Sequence, residues 1–304
     1  MDDQPAPQKY YSRMEWPVQT APQRVISLVP SLTEALFDLD LGLRLVAITD
    51  DCTRPPEKVG ALRRIGASQN PDIRQIIALK PDLVLVNDEE NRREDMDALR
   101  EANIPLWVTG PRSVFDALNL LWNLMDVFDH AVMIPRVREI ERAYDYSLAA
   151  SMAAKPLRVF VPLWRDPWIT FNAETYAHDI LKVCGGINVF AEREQIDPLP
   201  AGEFLGITHD RRYPQVTLDD VIAAQPDVVL LPVSFHPLSH DGWGGSEQVH
   251  FTETDVASLM ALAIPAAQHN RIHLVDGSLL TWHGTRIAYA LRDLPPLLSG
   301  DSNP

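Results

Sequence analysis

The sequence predicts an α/β protein of two similar lobes with mainly parallel sheets, joined by a long helical connector and holding a ligand cleft between them. Three observations carry this reading: length, strand-helix alternation in both halves, and self-similarity between the halves. At 304 residues the chain exceeds the size at which one hydrophobic core usually keeps growing, so two domains are expected. The segment IIALKPDLVLV at 76–86 recurs as VIAAQPDVVLL at 221–231, offset by 145 residues, with Pro81-Asp82 matched by Pro226-Asp227. Solenoid periods run about 20–50 residues, so a period this long indicates a duplicated lobe.

Residues 1–22 read as an irregular extension rich in Pro and Gln, and 23–111 as the first lobe. RVISLV (24–29) is a β-branched strand ending at Pro30; the following LTEALFDLDLG has helical periodicity, with Ser31 and Glu34 as a capping box and Gly42 as the stop. LRLVAIT (43–49) is a second strand that leads into the loop DDCTRPPEK. NPDIRQIIALKPDLVLVN then reads as a helix halted before Pro81 and a continuous apolar strand of the kind buried on both faces. EENRREDMDALREANIPLWVT repeats helix and strand. Residues 112–155 are helical almost throughout, broken near Asp129 to Pro135, and form the connector. Two lobes joined by one helical crossover have little freedom to hinge. The second lobe, 156–294, repeats the order: LRVFVPLW answers RVISLVPS, and RIHLVDGSLLTWHGTRIAYAL answers NIPLWVTGPRSVFDAL. Residues 295–304 read as a tail. Alternating strands and helices imply right-handed crossovers, which gather functional loops at the C-terminal ends of the strands. In the first lobe those loops begin at Pro30, Asp50, Asn87 and Thr109.

Composition narrows the function. With 27 basic against 42 acidic residues the formal charge is −15, the wrong sign for a phosphate backbone or an anionic lipid surface. No apolar run approaches the ~20 residues of a membrane-spanning helix. The first residues show no basic region followed by an apolar one, so the chain reads as cytoplasmic or as having lost its signal. Cys52 and Cys184 fall in different lobes and make no disulfide framework.

The strand-end loops supply the candidate site. PLWRDPW contributes Trp164, Arg165 and Trp168; SFHPLSHDGWGG contributes His236, His240 and Trp243; LLTWHGTR contributes Trp282 and His283. Any one of these Trp residues equally suits a cap on the core below; together, on loops, they suit a flat, partly apolar ligand. His236 and His240 have a metal-ligand spacing only on a helix face, whereas Pro237, Gly242, Gly244 and Gly245 argue for a loop. His250 either completes such a metal site or is a solvated loop residue. DEENRRED offers paired carboxylates, or Asp88 or Glu89 capping the next helix. Cys52 lies on a cleft loop without a neighbouring His, and Cys184 reads as buried. No phosphate-binding Gly loop, nucleophile elbow or H-E-x-x-H is present, so nothing points to catalysis.

The segments RVISLVPSLTEALFDL, DCTRPPE, NPDIRQIIALKPDLVLVNDEENR, GGINVFAE, YPQVTLDDVIAAQPDVVLLP and DGSLLTWHGTR resemble the helical-backbone (class III) ABC-transporter substrate-binding proteins, most closely the cobalamin-binding branch. The resemblance spans about residues 24–294. It implies a non-catalytic protein that requires no cofactor and holds a corrinoid between rigid lobes. The implied contacts are Pro30, Ser31, Asp51, Cys52, Glu90, Arg92, Trp164, Arg165, Trp168, His236, Trp243, Trp282 and His283. Haem or a ferric siderophore is the alternative cargo, one that asks for more cleft cations than Arg92, Arg165 and Arg286 provide. A metal- or corrinoid-handling enzyme using His236, His240 and His250 is the alternative of a different class. The implied partner is an ABC permease that docks on one acid from each lobe, at whose places this chain carries Arg74 and Asp219. The family works outside the cytoplasmic membrane, and the insert SFHPLSHDGWGGSEQVHF replaces a shorter loop of its pattern.

Overall fold

The computed structural model of the chain describes residues 18–194, 210–233 and 251–299. The first lobe runs β1 (Val25–Ser27), α1 (Pro30–Asp38), β2 (Leu45–Ile48), α2 (Pro56–Val59), β3 (Arg63–Arg64), a small β4-β5 ribbon (Gly66–Ala67 and Asn70–Pro71), α3 (Ile73–Leu79), β6 (Leu83–Asn87), α4 (Arg93–Glu101) and β7 (Leu106–Thr109). Its five-stranded sheet has the order β3-β2-β1-β6-β7 and is parallel throughout. The connector is α5 (Val114–Val127) and α6 (Ile134–Ala153), separated by a tight turn at Ala131–Met133.

The second lobe contains β8 (Leu157–Phe160), β9 (Trp168–Ile169), α7 (Tyr176–Val183), β10 (Gly186–Asn188), β11 (Gln215–Val216), α8 (Leu218–Ala224), β12 (Val228–Pro232), α9 (Glu253–Met260), α10 (Pro265–Gln268), β13 (Ile272–Val275), α11 (Ser278–Thr281) and α12 (Ile287–Asp293). Its sheet, β10-β8-β12-β13, is again parallel. An antiparallel β9-β11 pair lies beside it.

The internal repeat extends to individual hydrogen bonds. Lys80 and Gln225 each end their helix in the left-handed region, at φ 48° and 47°, just ahead of the Pro-Asp dipeptide. The carboxylate of Asp82 accepts the backbone N–H groups of Gln23 and Arg24 at 2.7 and 2.8 Å, while that of Asp227 accepts the N–H of Arg158 at 2.9 Å. The guanidinium of Arg24 donates to the carbonyl of Leu79 at 2.6 Å, and that of Arg158 to the carbonyl of Ala224. Each Pro-Asp therefore stops a helix, turns the chain, and clamps the incoming strand to the start of the central one.

Parallel sheets covered by helices bury both faces, and side chains alternate along the strands. In β6, Leu83 and Leu85 face one core while Val84 and Val86 face another; in β12, Val228 and Leu230 separate in the same way from Val229 and Leu231. The inner faces of the two sheets share one continuous core through α5, α6, α7 and α12, and each lobe keeps a smaller outer core of its own.

Several local expectations are corrected. Helix α1 begins at Pro30, with Val29 in the cap position and no side-chain cap, so Ser31 and Glu34 form no capping box. A proline at the first helical position gives up no hydrogen bond, which lets the strand turn straight into the helix without a loop. The helix ends at Asp38, ahead of Gly42, whose missing side chain instead admits the ring of Phe37. Neither Asp88 nor Glu89 caps α4, which starts after Arg92 without a side-chain cap. After Pro162 the second lobe forms a hairpin through Trp164 and Ile169 where the first lobe has a helix. Residues 295–298 are no tail: a tight turn at Pro295–Leu297 brings Leu298 into the core beside Gly186.

Replacing Asp82 by Ala removes two charge-assisted bonds and is expected to lower unfolding free energy by about 1–3 kcal/mol, with a smaller loss for Asp227→Ala, as read from denaturant midpoints.

Candidate ligand-binding cleft

The segments that follow β1, β2 and β6 meet, across the lobes, those that follow β13 and precede β11, and the contacts are polar. At its centre lies His283. The Nδ2 of Asn87, at the end of β6, donates to His283 Nε2 at 3.2 Å, which leaves the ring proton on Nδ1, 3.3 Å from Ser31 Oγ. Tyr176 meets the ring edge-on at 6.3 Å between centroids. Burial drives the imidazole pKa down to about 4, so the ring is neutral at pH 7. The loop carrying Asn87 is itself laced: its Oδ1 accepts the N–H of Glu89 at 2.7 Å, and Asn91 donates to the carbonyls of Leu28 and Ser68.

Among the described residues, three ion pairs tie one lobe to the other. Glu34 of α1 holds Arg286 through two hydrogen bonds, both side chains being buried. Arg54, in the loop after β2, reaches Asp276, just after β13, at 2.8 Å. Glu89 accepts from Arg212, which also grips Asp210 at 2.6 Å, and from the Tyr213 hydroxyl at 3.4 Å. Thr285 adds a hydrogen bond to Asp38 at 2.8 Å. Beside the Glu89 tie is a pocket of about 580 Å³ lined by Arg112, Ala173, Glu174, Asp210, Arg211 and Arg212.

The expected contact residues divide into three groups. Pro30, Ser31, Cys52 and His283 are buried. Cys52 accepts from Thr33 at 3.0 Å and lies 3.2 Å from the Thr49 hydroxyl; burial pushes its thiol up to about 11, so it is no nucleophile. Asp51, Glu90, Arg92, Trp164, Arg165, Trp168 and Trp282 keep part of their surface. Asp51 accepts the N–H of Ser68 at 2.6 Å. The Glu90 carboxyl is pushed up to about 8, first by burial and then by the Asp51 charge. Trp168 stacks on Phe251 with rings 5.9 Å apart and inclined 15°. Trp282 lies under the guanidinium of Arg54 at 5.4 Å and that of Arg286 at 5.9 Å. His236, His240, Trp243 and His250 lie outside the described residues, among which no three His, Cys, Asp or Glu side chains converge as a metal set.

Sequence reasoning missed Asn87, Arg54, Asp276 and Arg212 as elements of this seam. Asn87, Arg54 and Asp276 sit at or just after a strand end, so the rule that led to the Trp residues applied equally to them.

Comparison with known proteins agrees with this architecture. No family model matches the chain. The vitamin B12-binding protein of Vibrio parahaemolyticus serotype O3:K6 is 28% identical over 224 residues, covering 72% of this chain and 74% of that protein. That of Yersinia pestis (strain Pestoides F) is 28% identical over 221 residues, covering 72% of each. Among solved structures, the periplasmic vitamin B12 binding protein BtuF of Vibrio cholerae superposes with a TM-score of 0.70 at 20% identity, covering 91% of this chain and 97% of that one. The chain has the two-lobed α/β fold of that binding protein. The fold is shared more widely: the periplasmic heme-binding protein RhuT of Roseiflexus sp. RS-1 gives a TM-score of 0.64 at 20% identity, covering 90% of this chain and 97% of that one. Both lobes and the helical connector are present, with a polar seam between the lobes.

His283 and Glu90 pull stability in opposite directions with pH. His283 titrates near 6.5 when unfolded and about 4 when folded, so the unfolded chain binds more protons between those values and stability falls as pH drops through them. Glu90 moves from 4.5 up to about 8, so the folded chain binds more protons there and stability falls as pH rises through that window. Melting curves of His283→Gln against the wild type are expected to flatten the acid limb, and those of Glu90→Gln the alkaline one.

Proposed function

We propose that the chain is the non-catalytic substrate-binding component of an ABC uptake system and carries a corrinoid of the cobalamin type in the cleft. The observation that carries this is the charge state of the site, taken with the vitamin B12-binding names of the curated relatives. Each arginine of the described seam is already met by a carboxylate: Arg54 by Asp276, Arg92 by Asp95, Arg112 by Asp88 and Glu89, Arg165 by Asp255, Arg212 by Glu89 and Asp210, and Arg286 by Glu34. The internal segments 195–209 and 234–250 contain no Lys or Arg. A ligand with several carboxylates, such as haem or a ferric siderophore, finds acids there in place of free cations. A corrinoid presents a broad apolar ring and uncharged amides, which suit Trp164, Trp168 and the hydrogen-bonding loop at 87–92.

The permease partner is proposed from the same likeness to vitamin B12-binding proteins. Arg74 and Asp219 are both exposed and both second in their helices, α3 and α8. The docking face is therefore of mixed sign, and its partner carries an acid opposite Arg74.

Isothermal titration with cyanocobalamin, cobinamide and haemin tests the reading. Saturable one-to-one binding of cyanocobalamin is expected, weakened about 10- to 100-fold by Trp168→Ala. Haemin saturation without corrinoid binding overturns it.

A further inference from the structure

The paired arginines of the cleft are not equivalent. Arg286 and Glu34 are 9% and 8% exposed, and Arg212, at 14%, is shared between two carboxylates; neither is in a position to meet a ligand. Arg165 and Arg92 are engaged by acids of their own lobes. Arg54 differs. Its side chain is 31% exposed, its one carboxylate partner among the described residues is Asp276 of the opposite lobe, itself 34% exposed, and its guanidinium lies over the ring of Trp282. Asp276 is held for the purpose: its Oδ1 accepts the N–H and hydroxyl of Ser278 at 3.0 and 2.7 Å, which leaves Oδ2 to face Arg54. A cation over an aromatic ring at a cleft mouth is what a macrocycle with acidic side arms requires, since the ring stacks while the arm is neutralised. Here that cation is cancelled from across the cleft.

We propose that the Arg54–Asp276 pair is a specificity element: it occupies the guanidinium over Trp282 with a carboxylate of the protein and so selects uncharged, amide-bearing macrocycles over carboxylate-bearing ones. This rests on the reading of the cleft as a macrocycle site and deepens it. Selection of this kind works by denying the wrong ligand a partner, in addition to any contact made with the right one. The geometry also makes the discrimination switchable by one atom, because Asn at 276 keeps Oδ1 for Ser278 while losing the charge.

Haemin, which bears two propionates, is the probe, titrated into the wild type, Asp276→Asn, and Arg54→Gln combined with Asp276→Asn. Asp276→Asn is expected to bind haemin about 10- to 100-fold more tightly than the wild type, since a charge-assisted bond to a freed guanidinium is gained, and the double variant is expected to lose that gain. Asp276→Ser serves as the second variant, and circular dichroism confirms folding of each. Equal haemin affinity in the wild type and both single variants overturns the proposal, as does a gain that survives Arg54→Gln. Cyanocobalamin titrated in parallel separates the two readings: its failure to bind the wild type sinks the corrinoid assignment alone, while the haemin comparison still decides the role of the ion pair.

Discussion

The cleft depends on the buried contact between α1 and the turn at Gly284–Arg286. Removing the charges of Glu34 and Arg286 from water is expensive, and an apolar pair of similar volume is often as stable, so this ion pair is best understood as fixing register. It works with a steric condition. Gly284 lies at φ 83°, and a Cβ there meets Ala35 Cβ at 3.2 Å and the Ser31 carbonyl at 3.4 Å, so only glycine lets the turn approach the helix this closely. Once it is seated, His283 falls between Ser31 and Asn87, and the two sheets are set at one distance.

Rigidity follows from the same contact. The connector helix α6 has 20 residues, about 30 Å of helix at 1.5 Å per residue, and α12 packs along it while its leading turn grips α1. A hinge would have to break the buried Glu34–Arg286 pair and the shared inner core together, and leaving one such charge buried and unpaired costs about 3–5 kcal/mol. Recognition in this frame depends on preorganised loops more than on lobe closure, which keeps the ordering cost of binding low.

Much of the fold was legible because its signals are local or repeated. The Pro-Asp repeat located two helix stops and two central strands, and the structure adds the reason: Asp82 and Asp227 clamp the neighbouring strand. The all-apolar LVLV and VVLL runs reported burial on both faces, as the alternation of Leu83 and Val84 between cores bears out. The site was less legible. Trp and His on loops were conspicuous, yet His283 is spent on the seam and Trp282 is covered by guanidinium groups. Those outcomes depend on pairings such as Arg54 with Asp276, 222 residues apart, which no periodicity or spacing encodes. The apparent capping box at Ser31 and Glu34 failed for the same reason, since both side chains were committed to partners some 252 residues away.

Charge links the seam to the ligand. The chain carries −15 overall, and within the cleft carboxylates meet Arg54, Arg92, Arg112, Arg165, Arg212 and Arg286, with Asp51 as a further acid. In such a field an uncharged ligand loses nothing on entry, whereas an anion is repelled before any contact forms. The raised pKa of Glu90 belongs to that balance: near pH 7 its carboxyl keeps its proton, and the site avoids a further negative charge beside Asp51. A protonated acid and a neutral imidazole, both created by burial, leave a cleft whose remaining polar groups offer hydrogen bonds in place of net charge, the chemistry that amide side arms can answer.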